Sequence, residues 1–217
     1  MSKDLWLKRI RNYVGLLGML LPWLALFSAG IVDPHPSDKW WYSISATYYQ
    51  SPALVGVLTA ASIVLMTYDG YSFIDNAVTT ISGVFGLGIV LFPCSVDWID
   101  GKVGFFQIPM HYSNKVHCAY AAAFFVLLAF NSYFLFTRTS DPFSMTDKKK
   151  LRNKIYRICG IGMLVFMVWQ AITSQVSFFK GYWTMINEIF LLQFFGISWL
   201  VKGGAFKFLN DREMKPV

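Results

Sequence analysis

Six apolar runs divide the chain, at roughly residues 13–32, 52–68, 76–95, 114–137, 155–175 and 183–201. Each is close to the ~17–25 residues that a helix needs to cross the hydrocarbon core of a bilayer. The pattern predicts an all-α, polytopic membrane protein: one transmembrane domain, residues 1–217, with six membrane-spanning helices.

The polar positions between the runs refine this picture. The segment Val32 to Ser51 holds Pro34, His35, Pro36, Trp40-Trp41-Tyr42 and Tyr48-Tyr49. Trp and Tyr prefer the headgroup region, so this loop is predicted to lie along the membrane surface. Ser51-Pro52 pairs a capping hydroxyl with a first-turn proline at the start of the second helix. The short turn from Tyr68 to Asn76 makes the second and third helices antiparallel neighbours, with Asp75 or Asn76 predicted to cap the third. Thr79/Gly83 and Ser82/Gly86 are small residues four apart, a spacing that lets another backbone come close. Gly15, Gly18 and Pro22 give the first helix close-packing positions and a kink site. Residues 138–154 form a basic loop, and its Asp147 to Arg157 end is predicted to extend the fifth helix as a basic amphipathic turn or two. No internal repeat is found.

Composition agrees: 55% of residues are hydrophobic and the mean hydropathy is +0.46, values outside the range of an ordinary soluble fold. Charge adds direction. Fifteen of the 19 Lys and Arg residues lie in three stretches: Lys3 to Arg11, Arg138 to Arg157, and Lys202 to Lys215. Cytoplasmic loops retain such residues, so both termini and the fourth loop are predicted to be cytoplasmic, in a plasma membrane of bacterial inner-membrane type. Topology and attraction to anionic inner-leaflet lipids account for the net charge of +7 without nucleic acid. Lys148, Lys149, Lys150, Arg152, Lys154 and Arg157 are the candidate contacts for those lipids or for an anionic cytoplasmic ligand. A competing reading takes the first run as a signal peptide ending at Ser28-Ala29-Gly30; an even helix count with a basic C-terminal stretch inside favours a true first helix.

Candidate chemistry gathers at the outer ends of the helices. Glu188 is the only acidic residue well inside a predicted span, with Asn187 and Thr184 beside it. Gln170, Thr173, Ser174 and Ser177 share one face of the fifth helix. With His117 these residues predict an outward-facing polar vestibule, since polar groups inside a bundle must be paired or useful. One function for it is an oligomeric ion-conducting channel or pore, in which Glu188 repeats around a homo-oligomer as an acidic ring and small-residue faces join the copies. An alternative is a lipid-modifying enzyme with Ser45 as nucleophile, His117 as base and Asp97 as orienter. A third is a non-catalytic sensor or structural subunit, with the polar groups as a packing network. Three cysteines give no metal or disulfide framework, although Cys94 and Cys118 both fall near outer helix ends where a bridge is geometrically allowed. His111 and His117 stand six apart, on different faces of a straight helix, which argues against a zinc site. No cofactor is expected.

Three short segments carry a family resemblance: Ser43-Ile44-Ser45-Ala46-Thr47-Tyr48-Tyr49, Leu91-Phe92-Pro93-Cys94-Ser95-Val96-Asp97, and His117 at the start of the fourth helix. Together, over roughly residues 40–130, they resemble a bacterial six-helix membrane family of unknown function, distantly similar to the FGF-receptor-activating-protein and DRAM group. The resemblance implies a six-helix bundle with both termini inside. Some eukaryotic members of the wider group are associated with lipid remodelling. The acid of the second motif, Asp97, sits later here than in the family pattern, which weakens the transfer of a role to it.

Overall fold

A computed structural model describes residues 3–139, 145–174 and 181–211. It holds six α-helices: α1 (Lys3–Gly30), α2 (Pro52–Met66), α3 (Phe73–Leu91), α4 (Met110–Phe130), α5 (Asp147–Thr173) and α6 (Trp183–Gly203). Five of them are long and apolar enough to cross a membrane. The exception is α2, whose 15 residues reach about 22 Å against a hydrocarbon core of ~30 Å. Each helix packs on the next in the chain and α6 packs on α1, so the six form a closed ring.

Glycine sets the tightest seams. A Cβ on Gly15 would stand 2.7 Å from the backbone nitrogen of Leu200, and one on Gly196 would stand 2.8 Å from the carbonyl of Gly15, so α1 and α6 approach backbone to backbone. The small-residue face of α3 is used in the same way inside the chain: a Cβ on Gly83 would meet the Ser62 carbonyl of α2 at 2.5 Å, and Gly86 faces the Ser62 side chain. That face is thus engaged by α2, and not free to join copies as the sequence reading had it. Between the helices the core is aromatic: Trp199, fully buried, packs edge-on against Tyr68 at 5.3 Å and Phe136 at 5.2 Å.

Local chemistry explains most helix ends. Ser51 caps α2, its hydroxyl accepting from the amide of Ala53, with Pro52 in the first turn. Thr146 caps α5 by accepting from Lys149, so the basic end of the fourth loop is helical as its pattern predicts. The cap of α3 differs from expectation. Ser72 takes that place, accepting from the amide of Asp75 at 3.3 Å, because the helix starts at Phe73. Asn76 instead accepts from the amide of Gly70 and so closes the preceding turn. After α4 the chain widens into a π-helical segment, Asn131–Leu135, where the amide of Phe136 donates to the carbonyl of Asn131.

The two ends of the bundle are unlike. One, the basic end, carries the start of α1, the α2–α3 turn and the end of α6. The other, the aromatic end, carries the 31–51 and 92–109 segments, the latter with a two-residue hairpin of β1 (Lys102–Val103) and β2 (Ile108–Pro109). The first of these segments does not simply lie over the surface. A 3-10 turn at Ser45–Tyr49 sinks into the bundle, with Ile44, Ala46 and Thr47 buried, in the space that the short α2 leaves open.

Candidate functional site

The sunken turn exists around one carboxylate. Glu188 lies about 8 Å along α6 from its first residue, at ~1.5 Å rise per residue. The amide of Ile44, at the start of the 3-10 turn, donates to Oε2 at 2.5 Å. Ser43 Oγ donates to the two carboxylate oxygens at 2.9 and 3.1 Å, and Ser45 Oγ donates to Oε1 at 2.8 Å. The amide of Met185 donates to the carbonyl of Tyr42 at 2.9 Å, so the loop and α6 are joined by backbone as well. Three neutral donors thus surround a carboxylate inside the bundle, meeting the cost of its burial through hydrogen bonds and not through an opposite charge.

Below this cage the ring of helices encloses a cavity of about 880 Å³. Its deep wall is apolar, with Leu21, Leu58, Phe124, Leu191 and Leu192 from four helices. Its polar groups collect toward the aromatic end, where Ser43, Ser45, His117, Gln170, Thr184 and Glu188 line it. At the mouth, exposed Lys39 and Asp97 form an ion pair at 2.8 Å. The hydrogen bond from Lys39 holds the Asp97 carboxyl below its ordinary range, and the same bond raises the Lys39 ammonium.

The proposed Ser-His-Asp arrangement does not form as such. Ser45, His117 and Asp97 line the same cavity, but each is engaged elsewhere: Ser45 with Glu188, Asp97 with Lys39, and His117 Nδ1 with the Phe92 carbonyl at 2.8 Å. A carbonyl only accepts, so Nδ1 carries the proton, and Nε2 is the lone-pair atom of this buried ring. Cys94 and Cys118 also line the cavity, both as free thiols. Burial raises the Cys94 thiol well above its usual value, the opposite of an activated nucleophile. Among the described residues no cluster of three or more His, Cys, Asp or Glu side chains is placed to hold a metal.

The vestibule residues separate into two groups. Glu188, Thr184, Gln170, Ser174 and His117 reach the cavity wall. Asn187 and Thr173 are buried behind it. Asn187 Nδ2 donates to Gln170 Oε1 at 2.8 Å and to Thr173 Oγ1 at 3.3 Å, while Gln170 Nε2 donates to Thr184 Oγ1 at 3.2 Å. These bonds staple α5 to α6. Ser177 lies outside the described residues.

At the basic end several of the candidate anion contacts bond within the chain. Arg152 donates to the Leu209 carbonyl at 2.5 Å and to Asp211 at 2.7 Å, Lys148 donates to the Asn210 carbonyl, and Thr146 Oγ1 donates to Asp211. Lys149 donates to the carbonyls of Phe136 and Arg138, at the end of the π-helical segment. Lys150 pairs with Asp147 on the surface, Arg157 lies over the Tyr133 ring at 5.9 Å, and Lys154 is exposed.

Sequence reasoning found Glu188 but not what holds it. The sequence places Ser43 at the level of Glu188 but does not show that it holds the acid, and it gives no sign of the Ile44 amide or Lys39; the partners of these three lie 145, 144 and 58 residues away. The available signal was one buried acid to be matched with a Ser-x-Ser pair in a loop at the same depth. In comparisons with protein-family models, curated proteins and solved structures, nothing matches the chain.

Proposed function

We propose that this helical membrane protein binds an amphiphile, with its hydrocarbon in the cavity and its polar group at the aromatic end. One observation carries the reading: a cavity of about 880 Å³ whose deep wall is apolar and whose polar groups all lie toward one mouth. That volume is near the top of the ~300–1,000 Å³ range of small-molecule sites. Hydroxyl groups of Ser43 and Ser45, Nε2 of His117 and the Lys39–Asp97 pair are the groups available to a headgroup. The basic end faces the cytoplasm and the aromatic end faces out, with α2 and the sunken turn together completing the sixth crossing. The family resemblance over residues 40–130 is consistent with this orientation and with a lipid as the ligand.

Chemical modification of that lipid is the second reading, favoured by the Nε2 lone pair of a buried histidine on the cavity wall. Ion conduction through a homo-oligomer ranks below both, because the Glu188 oxygens that would form the acidic ring already accept four hydrogen bonds within one chain.

Native mass spectrometry of the purified protein tests the proposal. We expect a bound lipid in the wild type and its loss in Ala121→Phe, which adds a ring at the cavity wall. A wild type that carries no lipid, together with ion flux from liposomes that disappears in Glu188→Gln, would overturn it in favour of conduction.

A further inference from the structure

We infer that the ligand enters the cavity sideways from the bilayer, through a gap between the aromatic-end halves of α4 and α5, so that it is a lipid of that leaflet and not a solute from water. The inference rests on the amphiphile reading above and adds a route and a source to it.

The contacts that bind α4 and its π-helical extension to α5 lie toward the basic end. A Cβ on Gly160 would stand 3.0 Å from the Ala129 carbonyl and 2.9 Å from Tyr133, so the two backbones nearly touch there. Ser132 Oγ donates to the Tyr156 carbonyl at 2.9 Å, and the rings of Phe136 and Tyr156 meet at 5.5 Å. Toward the aromatic end α5 is drawn to α6 instead. Gly162 faces the Phe194 ring, Phe166 stacks on Phe190 at 4.5 Å, and the Gln170–Asn187–Thr184 bonds continue the seam. The helices α4 and α5, joined at one end and pulled apart at the other, therefore splay.

The edges of the splay are both exposed and part of the cavity wall. Cys118 and Ala122 on α4 and Val168, Ala171 and Ser174 on α5 all line the cavity while exposed, with Val168 59% exposed. A residue that bounds an internal cavity and faces the surroundings marks an opening. Most of these side chains are small, so none of these described edge residues fills the opening. From Ser174 to Val168 the α5 edge covers about 9 Å of depth, within the ~15 Å of one leaflet's hydrocarbon. Flanking side chains such as Leu164, Val165 and Ile172 are exposed and apolar, as a surface against acyl chains requires.

The test uses the full chain in nanodiscs with a phosphatidylcholine that carries a photoactivatable group on one acyl chain. Labelling of cavity peptides containing Phe125 and Leu191 is followed against time in the wild type, in Ala122→Trp and in Ala171→Trp. Blocking the gap should slow the approach to the plateau by about tenfold or more, read as a rate constant normalised to each variant's own final extent, because both residues also line the cavity and bear on that extent. Equal rates in the wild type and both variants would overturn the portal while leaving the cavity reading intact. No labelling of those peptides in the wild type would overturn both. Ala122→Leu and Ala171→Leu, with smaller added volume, give the same rate comparison should either Trp variant fail to fold.

Discussion

The two ends of the bundle bury charge in opposite ways. At the aromatic end a lone carboxylate, Glu188, is held by hydroxyls and one amide, with open volume beside it. At the basic end Arg11, 3% exposed, donates to the Tyr68 hydroxyl at 2.8 and 2.9 Å and lies over the Tyr71 ring at 5.0 Å. Lys202 donates to the Phe136 carbonyl at 3.1 Å and sits 5.2 Å above the Phe136 ring. The cations are absorbed by ring faces and by the carbonyls at a helix end, which leaves them packed. The acid is met by donors that a ligand can compete for. The basic end thus buries its charges in closed packing, whereas the aromatic end leaves open volume beside its buried acid.

The largest effect is expected from removing the acid. Glu188→Ala leaves the Ile44 amide and two serine hydroxyls without their acceptor and unties the sunken turn. We expect a loss of about 2–4 kcal/mol, read as a fall in melting temperature on the order of 5–15 °C. Glu188→Gln keeps one acceptor oxygen but turns an amide donor toward the other donors, so a smaller fall is expected. A melting temperature unchanged in both variants would mean that the turn is held without the cage.

Arg11→Met tests the basic end. The substitution keeps an apolar stem among Tyr68 and Tyr71 while removing the donors and the cation–π contacts. Its expected cost is about 1–2 kcal/mol, with lipid labelling of the cavity unaffected. Slower or weaker labelling in this variant would show that the two ends are coupled.

The presence and rough bounds of the six helices were legible in the sequence, because run length is a property of local stretches. The basic extension of α5 and the Ser51-Pro52 start of α2 could be read for the same reason. The shortness of α2 could not. An apolar run counts side chains, whereas the helix ends where the chain turns at Thr67 and Tyr68. The level of Ser43 and Ser45 beside Glu188 was legible, but their bonds to it were not, since these depend on a loop sinking beside a short helix. His117 was found as a residue but not in its role, because its partner is the backbone carbonyl of Phe92 and has no side-chain signature. The Thr79–Gly86 face of α3 was recognised as a close-packing surface, but spacing alone does not distinguish a neighbour within the chain from a second copy.

A weaker effect is expected where the 207–211 segment docks on α5. The Thr146 hydroxyl, and then Arg152, hold the Asp211 carboxyl below its ordinary value. A depressed carboxylate contributes stability above the unfolded pKa of ~3.9 and loses it as pH falls through the folded value. Docking should therefore be constant from neutral to mildly acid pH and be released only below about pH 3.9. Asp211→Asn should mimic that release at neutral pH, with a cost of about 0.2–1 kcal/mol for a pair whose carboxylate is exposed. Amide hydrogen exchange of Leu209 and Asn210 is the readout, and protection equal to wild type would remove Asp211 from the docking.

The smallest effect on stability, and the most specific one on function, is expected at the mouth. Lys39 and Asp97 are both exposed, so Asp97→Asn should leave the melting temperature unchanged. Its consequence is electrostatic: the Lys39 ammonium is left unpaired beside the cavity opening. In nanodiscs containing both headgroup types, labelling by an anionic lipid probe should then rise relative to a zwitterionic one. The gain should shrink with added salt, since screening acts over ~8 Å at physiological ionic strength. In the wild type the ratio should be flat with pH between the two pKa values. The Asp97 carboxylate, shifted down, keeps its charge until pH falls below the ordinary carboxylate range, and the Lys39 ammonium, shifted up, keeps its own until pH rises above the ordinary lysine range. A headgroup ratio that is the same in Asp97→Asn and wild type at low salt would mean that lipid headgroups do not pass this pair, and would restrict the polar contacts of the ligand to the Ser43, Ser45 and His117 side of the cavity.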